Sequence, residues 1–161
     1  MTNSEVDNVA ATEVDSKTDF DNDTYAEVSR NAELKEVRLI RNKYVIKPEI
    51  TSVMEERDNV SHSFVGVCED FDYNAETGLA IGNYRWTVEI KLGRKKVLKL
   101  VTNYLISYYN LEGFDDHYVS YYFHKVGRFT TYPYFRALFS HHTSESGLVL
   151  PPLPSLNERV D

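Results

Sequence analysis

The sequence predicts an α+β fold, in which a four-stranded antiparallel meander sheet is followed by helices. Apolar and polar residues alternate over four segments between residues 32 and 109, which is the period of half-buried strands. Aromatic residues then recur at helical spacing between residues 115 and 140. Strands followed by helices are typical of the α+β class, so we expect one domain with the two kinds of element segregated along the chain.

The first two strands are separated by a polar connection. The first is predicted from Leu34 to Ile46, and its polar positions are mostly basic. Pro48 ends it, because proline cannot donate a hydrogen bond to a sheet. The connection over residues 48–61 contains isolated apolar side chains, and the second strand follows over residues 63–73.

The third and fourth strands are predicted as a hairpin. Tyr84, Trp86 and Val88 belong to the clearest alternation in the chain, with one buried and one wet face. A turn at residues 93–96 leads into the fourth strand, residues 97–109, which is apolar on both faces. A one-sided antiparallel sheet does not need a second apolar face, so we expect that face to contact another chain or a ligand.

A first helix is predicted directly after the sheet. Asp115 or Asp116 caps it, it extends to about His124, and Gly127 weakens its end. Its apolar residues cover most of its circumference, which favours a position between two layers.

A second helix is predicted to begin at Pro133, where the missing N–H costs nothing. Thr130 or Thr131 caps it and Gly147 ends it. The Leu/Pro run over residues 148–156 is then held extended by its prolines. This stretch offers apolar contact rather than acid/base chemistry, which indicates a binding protein.

The charge distribution divides the chain into a tail and a body. Residues 1–30 hold eight acidic and two basic residues, whereas the remainder holds 17 acidic and 16 basic residues. We therefore predict an acidic disordered tail at 1–30, a folded domain at 31–157 and a short C-terminal tail at 158–161. The acidic tail solubilises the chain or engages a basic partner. Neither part is basic enough to predict nucleic-acid binding.

The location expected for the chain is the cytoplasm. Cys68 is its one cysteine, which excludes an intrachain disulfide and fits a reducing compartment. The first residues lack the basic and apolar regions of a signal peptide. The sequence contains no run of about 18 apolar residues, so we do not expect it to insert into a membrane.

No catalytic, cofactor or metal site is predicted. His141 and His142, with Glu145 nearby, match no zinc-binding spacing, and neighbouring histidines do not share a helix face. Cys68 lies on an alternating strand without a basic neighbour that would activate it, so we interpret it as a small core residue. An enzyme is therefore the least favoured class.

Three segments resemble the SecB-like family of protein chaperones. The first is the opening strand AELKEVRLIRNKYVIKP, and the second is LISYYNLEG, where Leu111, Glu112 and Gly113 are similar to an Ile-Glu-Gly of SecB. The third is GRFTTYPYFRALF followed by GLVLPPLPSL. Its matching positions are Tyr132, Pro133, Tyr134, Arg136, Leu148, Pro151 and Pro152.

The resemblance implies a cytoplasmic holdase that binds unfolded or partly folded polypeptides in apolar grooves, without ATP, cofactor or metal. It implies a homotetramer built as a dimer of dimers, with helices between two sheets. An antitoxin and a secretory preprotein are candidate clients, but the sequence does not identify the client. The alternative is a dedicated adaptor or structural subunit that holds one specific partner.

Two departures from SecB bear on protein export. Lys99 stands where SecB has the glutamate that helps to dock the ATPase SecA. The chain also has no further helix after its Pro/Leu run. Both features resemble the solitary SecB-like chaperones, including those paired with toxin–antitoxin systems.

Two sets of site residues follow from these patterns. The residues predicted to bind clients, and to line one continuous groove, are Ile50, Val53, Met54, Val65, Val67, Val101, Leu105, Leu148, Leu150 and Leu153. The residues predicted for an oligomer interface are Tyr109, Tyr118, Tyr121, Tyr122 and Phe123.

Overall fold

A computed structural model describes residues 20–53 and 55–156, and it confirms the α+β class. The tails expected at residues 1–19 and 158–161 lie outside the described residues. Two short 3₁₀ helices, at Pro48–Val53 and Arg57–Asn59, occupy the connection after the first strand. The main elements are α1 (Asn22–Asn31), β1 (Glu33–Ile46), β2 (Val60–Asn74), β3 (Leu79–Leu92), β4 (Lys95–Tyr109) and α2 (Asp116–Glu145).

The four strands form one antiparallel sheet in the order β1-β4-β3-β2. Strands β2, β3 and β4 make a meander as predicted, but β1 lies beside β4, which gives the order of a Greek key. The connection between β1 and β2 passes the end of the sheet. Lys47 N there donates to Val97 O at 2.8 Å, and Gly93 N donates to Asn59 O at 2.8 Å.

The core lies between α2 and one face of the sheet, here called the inner face. Trp86, Leu100 and Ile106 are each 0% exposed on this face. Gly127 of α2 is needed for the close approach, because a Cβ at this position would lie 2.7 Å from the Ile106 side chain. The opposite face of the sheet is called the outer face.

The two helices predicted after the sheet are one continuous helix, α2. Its buried residues extend from Val119 to Thr143, so tertiary packing holds the helix together across Gly127 and Pro133. Thr131, predicted as a cap, instead donates its hydroxyl to Gly127 O at 2.8 Å within the helix. The prediction of a helix start at Pro133 is therefore wrong.

The predicted disordered tail is too long by the length of α1. Asp21 caps this helix, since its carboxylate accepts from Asp23 N at 3.1 Å and from Thr24 N at 3.2 Å. Val28 is 0% exposed, and α1 packs against α2. Acidic composition dominated the prediction, whereas a good cap and a few buried apolar contacts decide the structure.

Candidate polypeptide-binding groove

Residues 148–156, called the C-terminal segment, are anchored to α2 through their backbone carbonyls. Arg136 Nε donates to Leu153 O at 2.6 Å, and Tyr132 Oη donates to Pro154 O. Prolines lack an N–H, so the segment cannot pair as a regular strand. The two bonds to α2 satisfy two of its backbone carbonyls instead. Sequence analysis matched Tyr132 and Arg136 to a family without giving them a role. Their spacing of four residues on a helix was the signal that both face the segment.

An apolar cavity of about 160 Å³ lies between the C-terminal segment and the sheet edge formed by β2. Leu153 is 4% exposed and Leu150 is half-buried along it. We call this cavity the β2 groove. Its lining comes from the segment, the sheet and α2, namely Val60, His62, Val88, Ile90, Phe139 and residues 150–154.

Aromatic rings connect the β2 groove to the core. Trp86 is 0% exposed, stacks on Phe135 with centroids 5.5 Å apart, and lies 4.9 Å from the Tyr132 ring. The Tyr132 ring in turn stacks on Phe64 of β2, with ring centroids 5.7 Å apart. Because Tyr132 also anchors Pro154, the C-terminal segment is held in place by a ring that belongs to the core.

The residues predicted to bind clients do not line one continuous groove. Val65 and Val67 are exposed on the outer face of β2, and Val101 and Leu105 are half-buried on the outer face of β4. The leucines of the C-terminal segment lie on the inner face. A flat sheet separates the two groups, so the prediction of a single groove is wrong.

The connection between β1 and β2 does not expose the predicted apolar groups. Ile50 and Val53 are each 4% exposed and belong to the core. Met54 lies outside the described residues. Leu148 and Leu150 are half-buried and Leu153 is buried, and of these predicted residues Leu150 and Leu153 line the β2 groove.

Two of the five residues predicted for an oligomer interface belong to the interior of this chain. Phe123 is 0% and Tyr122 is 7% exposed, and both pack within the chain's own core. Tyr109 and Tyr121 are exposed at 38% and 45%. Tyr118 is half-buried and accepts a hydrogen bond from Asp21 N at 3.0 Å, so it fastens α1 to α2.

The centre of the outer face is polar. Arg85 Nη1 lies 2.5 Å from Glu69 Oε1, and Asn103 Nδ2 donates to Glu69 Oε2 at 2.8 Å. Asn103 Nδ2 also donates to Asn83 Oδ1 at 3.1 Å. This network places charged and polar side chains between Val67 of β2 and the outer face of β4.

Two titratable groups near the core, Cys68 and His142, have pKa values shifted by burial. Burial, with a smaller contribution from the charge of Asp70, raises the pKa of the Cys68 thiol to about 11, so it is protonated and not nucleophilic at neutral pH. Burial also lowers the pKa of His142, whose ring stacks on Tyr44 at 4.5 Å. Within the described residues, no group of three or more His, Cys, Asp or Glu is placed to hold a metal ion.

Both edges of the sheet have unpaired backbone groups within the described chain. Strand β2 is one edge, and it exposes Ser61 and Ser63 as well as Val65 and Val67, the two valines at 56% and 40%. Strand β1 is the other edge, and it exposes Leu34, Leu39 and Ile40 at 47%, 41% and 50%. An edge strand with large exposed apolar side chains is a template for pairing with another chain.

The comparisons with known proteins bear on the fold. No protein-family model and no curated protein matches the sequence. Among solved structures, the chain is similar to a SecB-like chaperone of Mycobacterium tuberculosis, solved in complex with a ChAD peptide from the HigA1 antitoxin. The TM-score is 0.68 at 17% identity, and the match covers 86% of this chain and 99% of that chain.

A four-stranded antiparallel sheet followed by a long helix thus defines the class as an α+β protein. Its particular fold is that of the SecB-like chaperones, as the resemblance in sequence implied. None of the helices in the described part of the chain is long and apolar enough to cross a membrane.

Proposed function

We propose that this protein is a molecular chaperone that holds non-native polypeptides in the β2 groove without ATP. One observation carries the proposal: the β2 groove is an apolar cavity between an irregular, Leu/Pro-rich segment and a sheet edge with unpaired backbone groups, so it offers apolar contacts beside backbone hydrogen bonds. Contacts of this kind depend little on the amino-acid sequence of the client, which is what a chaperone for many clients needs. Cys68, half-buried and unpaired, suits a reducing cytoplasm.

The groove fits a side chain of an extended polypeptide better than it fits a small molecule. Its volume of about 160 Å³ is below the roughly 300–1,000 Å³ of typical small-molecule sites. Strand β2 beside it is a sheet edge, so an extended client would pair its backbone with β2 while alternate side chains enter the cavity. The SecB-like neighbour, which was solved with a bound peptide, is consistent with this mode.

The second candidate is a dedicated adaptor for one partner, such as an antitoxin or a secretion component. The bound peptide of the neighbour comes from an antitoxin, and that observation favours a toxin–antitoxin role. The two candidates differ in breadth. A general chaperone delays the aggregation of unrelated unfolded proteins, whereas an adaptor acts on one sequence only.

We further propose that the protein is a homo-oligomer, at least a dimer and, as in a dimer of dimers, a tetramer. The exposed apolar side chains of β1, including Leu39 and Ile40, support this assembly. Replacing Leu39 by Lys is expected to give monomers in light scattering, while Ser63→Lys, at an exposed polar position of the β2 edge, leaves the assembly intact. A monomeric wild-type protein at micromolar concentration would contradict the proposal.

The client site is tested by comparing two neighbouring residues of the C-terminal segment. Leu150 lines the β2 groove, whereas Val149 is 79% exposed and does not line it. A buried leucine-sized contact contributes about 1.5–3 kcal/mol before ordering costs. Leu150→Ser should therefore weaken the binding of a permanently unfolded protein about tenfold, which is roughly 1.4 kcal/mol. Val149→Ser should leave it unchanged.

Affinity is measured by fluorescence anisotropy and oligomeric state by light scattering on the same samples. Equal affinities of the two variants for the unfolded protein would show that the β2 groove does not bind the client. Binding of an antitoxin-derived peptide without binding of any unfolded protein would replace the chaperone proposal by the adaptor.

A further inference from the structure

A second groove lies on the strand pair β1–β4, toward the end where β1 leads into the connection. It has a volume of about 380 Å³, and we call it the basic groove. No carboxylate belongs to its lining in the described part of the chain. Five of its residues are cationic, namely Arg41, Lys43, Lys47, Lys96 and Lys99.

Every second pair of opposite residues in β1 and β4 here joins one lysine to one valine. Lys43 is opposite Val101, and Val45 is opposite Lys99. One step further, Lys47 N donates to Val97 O at 2.8 Å. Because alternate residues of a strand share a face, Lys43 and Val45 point to the same side with their partners. The groove thus offers cations separated by valines at the spacing of an extended chain.

The positive charge of the basic groove is mostly uncompensated. Lys96 and Lys99 share one carboxylate, Glu89, at 2.9 and 3.2 Å. Arg41 and Lys43 form no ion pair with a carboxylate of the described residues, and Lys47 has only the longer-range attraction of Glu49, which forms its ion pair with Lys95. Such an arrangement favours an anionic ligand, and the valines favour one with short apolar side chains.

The chain contains a segment with the complementary pattern. Residues 1–19 hold five acidic residues and one basic residue. The segment therefore carries a large share of the net charge of the whole chain, which is −7. The tripeptide Glu-Val-Asp occurs twice there, at residues 5–7 and 13–15. In an extended backbone the two acids of each copy share a face, which matches the two-residue spacing of Arg41 and Lys43.

Chain length distinguishes the two copies. Phe20 lies on the first turns of α2, against Tyr118 and Tyr121, and α2 begins a few residues after Tyr109, which is opposite Glu33. From that end of the sheet the groove is about ten residues along β1, or roughly 33 Å. The copy at 5–7 is separated from Phe20 by enough residues to extend about 45 Å. The copy at 13–15 extends only about 20 Å from Phe20, which is too short for it to reach the groove of its own chain.

We propose that the basic groove is a binding site for an acidic extended peptide, and that its occupant is the Glu5–Asp7 portion of the same chain. The carboxylates of Glu5 and Asp7 pair with the lysines, and Val6 lies among the valines. The attachment keeps the local concentration of the segment high, so weak surface ion pairs suffice for occupancy. This inference concerns the outer face and does not rest on the proposed chaperone activity.

The test measures the reactivity of individual lysines in the full chain. Wild type, Glu5→Gln/Asp7→Asn and Glu13→Gln/Asp15→Asn are treated briefly with an amine-acylating reagent at low salt, and modified lysines are quantified by mass spectrometry. Lys43, Lys47 and Lys99 should react about threefold faster in the first variant, since a few screened ion pairs give effects of this order. The second variant should behave as wild type, as should Lys35 in every sample.

A second measurement shows the contact directly. A zero-length carbodiimide should join Glu5 or Asp7 of the wild type to Lys43, Lys47 or Lys99, and 1 M salt should abolish the product because it screens the pairs. In a mixture of isotopically light and heavy chains, the product should be intramolecular.

Three outcomes overturn the proposal. Equal lysine reactivity in all samples would mean that the cations only protect the β1 edge or await an external acidic partner. Equal effects of the two variants would indicate unspecific attraction. Products formed only between chains would assign the segment to a second copy.

Discussion

Gly66 of β2 is directly opposite Trp86 of β3, and the structure leaves no space for a methyl group between them. A Cβ at position 66 would lie 2.6 Å from two atoms of the indole ring. The ring has little freedom to move, because Trp86 is 0% exposed and its Nε1 donates to Thr131 Oγ1 at 2.8 Å. Gly66→Ala must therefore displace the ring, the strand, or both.

The size of the effect follows from three contributions. Overpacking of a filled core costs about 1–3 kcal/mol. Loss of the indole hydrogen bond, with the Thr131 hydroxyl left in the core, costs about 1 kcal/mol more. Removing the conformational freedom of glycine from a strand returns roughly 0.5–1 kcal/mol. We expect a net loss of about 2 kcal/mol, which lowers Tm by roughly 4–8 °C in a chain of this size.

Tryptophan fluorescence is the natural assay, because the chain contains one tryptophan. Gly66→Ala should lower the Tm followed by this signal and shift the emission to the red. A double-mutant cycle measured by circular dichroism supplies the control, since Trp86→Phe removes most of the ring that is in the way. An unchanged Tm would refute the close approach, and a full penalty in the Trp86→Phe background would locate the strain elsewhere.

Three further predictions concern stability. Pro133→Ala should raise it by about 1–2 kcal/mol in thermal denaturation, because proline inside a helix costs about 3 kcal/mol and its restriction of the unfolded chain returns about 1; no gain would favour the two-helix interpretation. Removing residues 1–19 should leave Tm unchanged, whereas removing 1–31 should lower it, because α1 packs against α2; equal Tm values would contradict this. Burial raises the pKa of Tyr104 and of Tyr122 to about 12 each. The unfolded chain releases these protons near pH 10 and the folded chain does not, so stability should fall as pH rises from about 10 to 12; an ultraviolet titration with all tyrosines ionising near pH 10 in folded protein would refute it.

The sheet could be predicted from the sequence because its signal is local. In β3, Tyr84, Trp86 and Val88 alternate with polar residues. The structure buries these three side chains and leaves the polar residues between them half-buried. The break in α2 was predicted for an equally local reason, since Gly127 and Pro133 both disfavour helix interiors. The compensating contacts, such as Gly127 against Ile106, join distant parts of the chain, and no local pattern reports them.

The candidate site was predictable in part. The Leu/Pro run indicated an adhesive segment, and the structure places it at an apolar cavity. Which face of the sheet it shares could not be deduced, because that depends on strand order. In the sequence, Val65 and Leu150 are equivalent candidates for an apolar contact surface. In the structure Val65 is exposed and Leu150 is half-buried, and the sheet lies between them.

The two edges of the sheet differ in a way that assigns them different partners. Strand β1 exposes Leu39 and Ile40 beside its unpaired backbone, so stable cover by a second copy buries apolar area as well as hydrogen-bonding groups. Strand β2 carries Ser61 and Ser63 on the outer face, followed by the exposed Val65 and Val67, and it adjoins the β2 groove on the inner face. Pairing with β2 beside Ser61 and Ser63 therefore gains most when the incoming strand places an apolar side chain in that cavity. Under the proposed holdase activity, reversible binding of non-native chains would follow from this dependence on one apolar side chain.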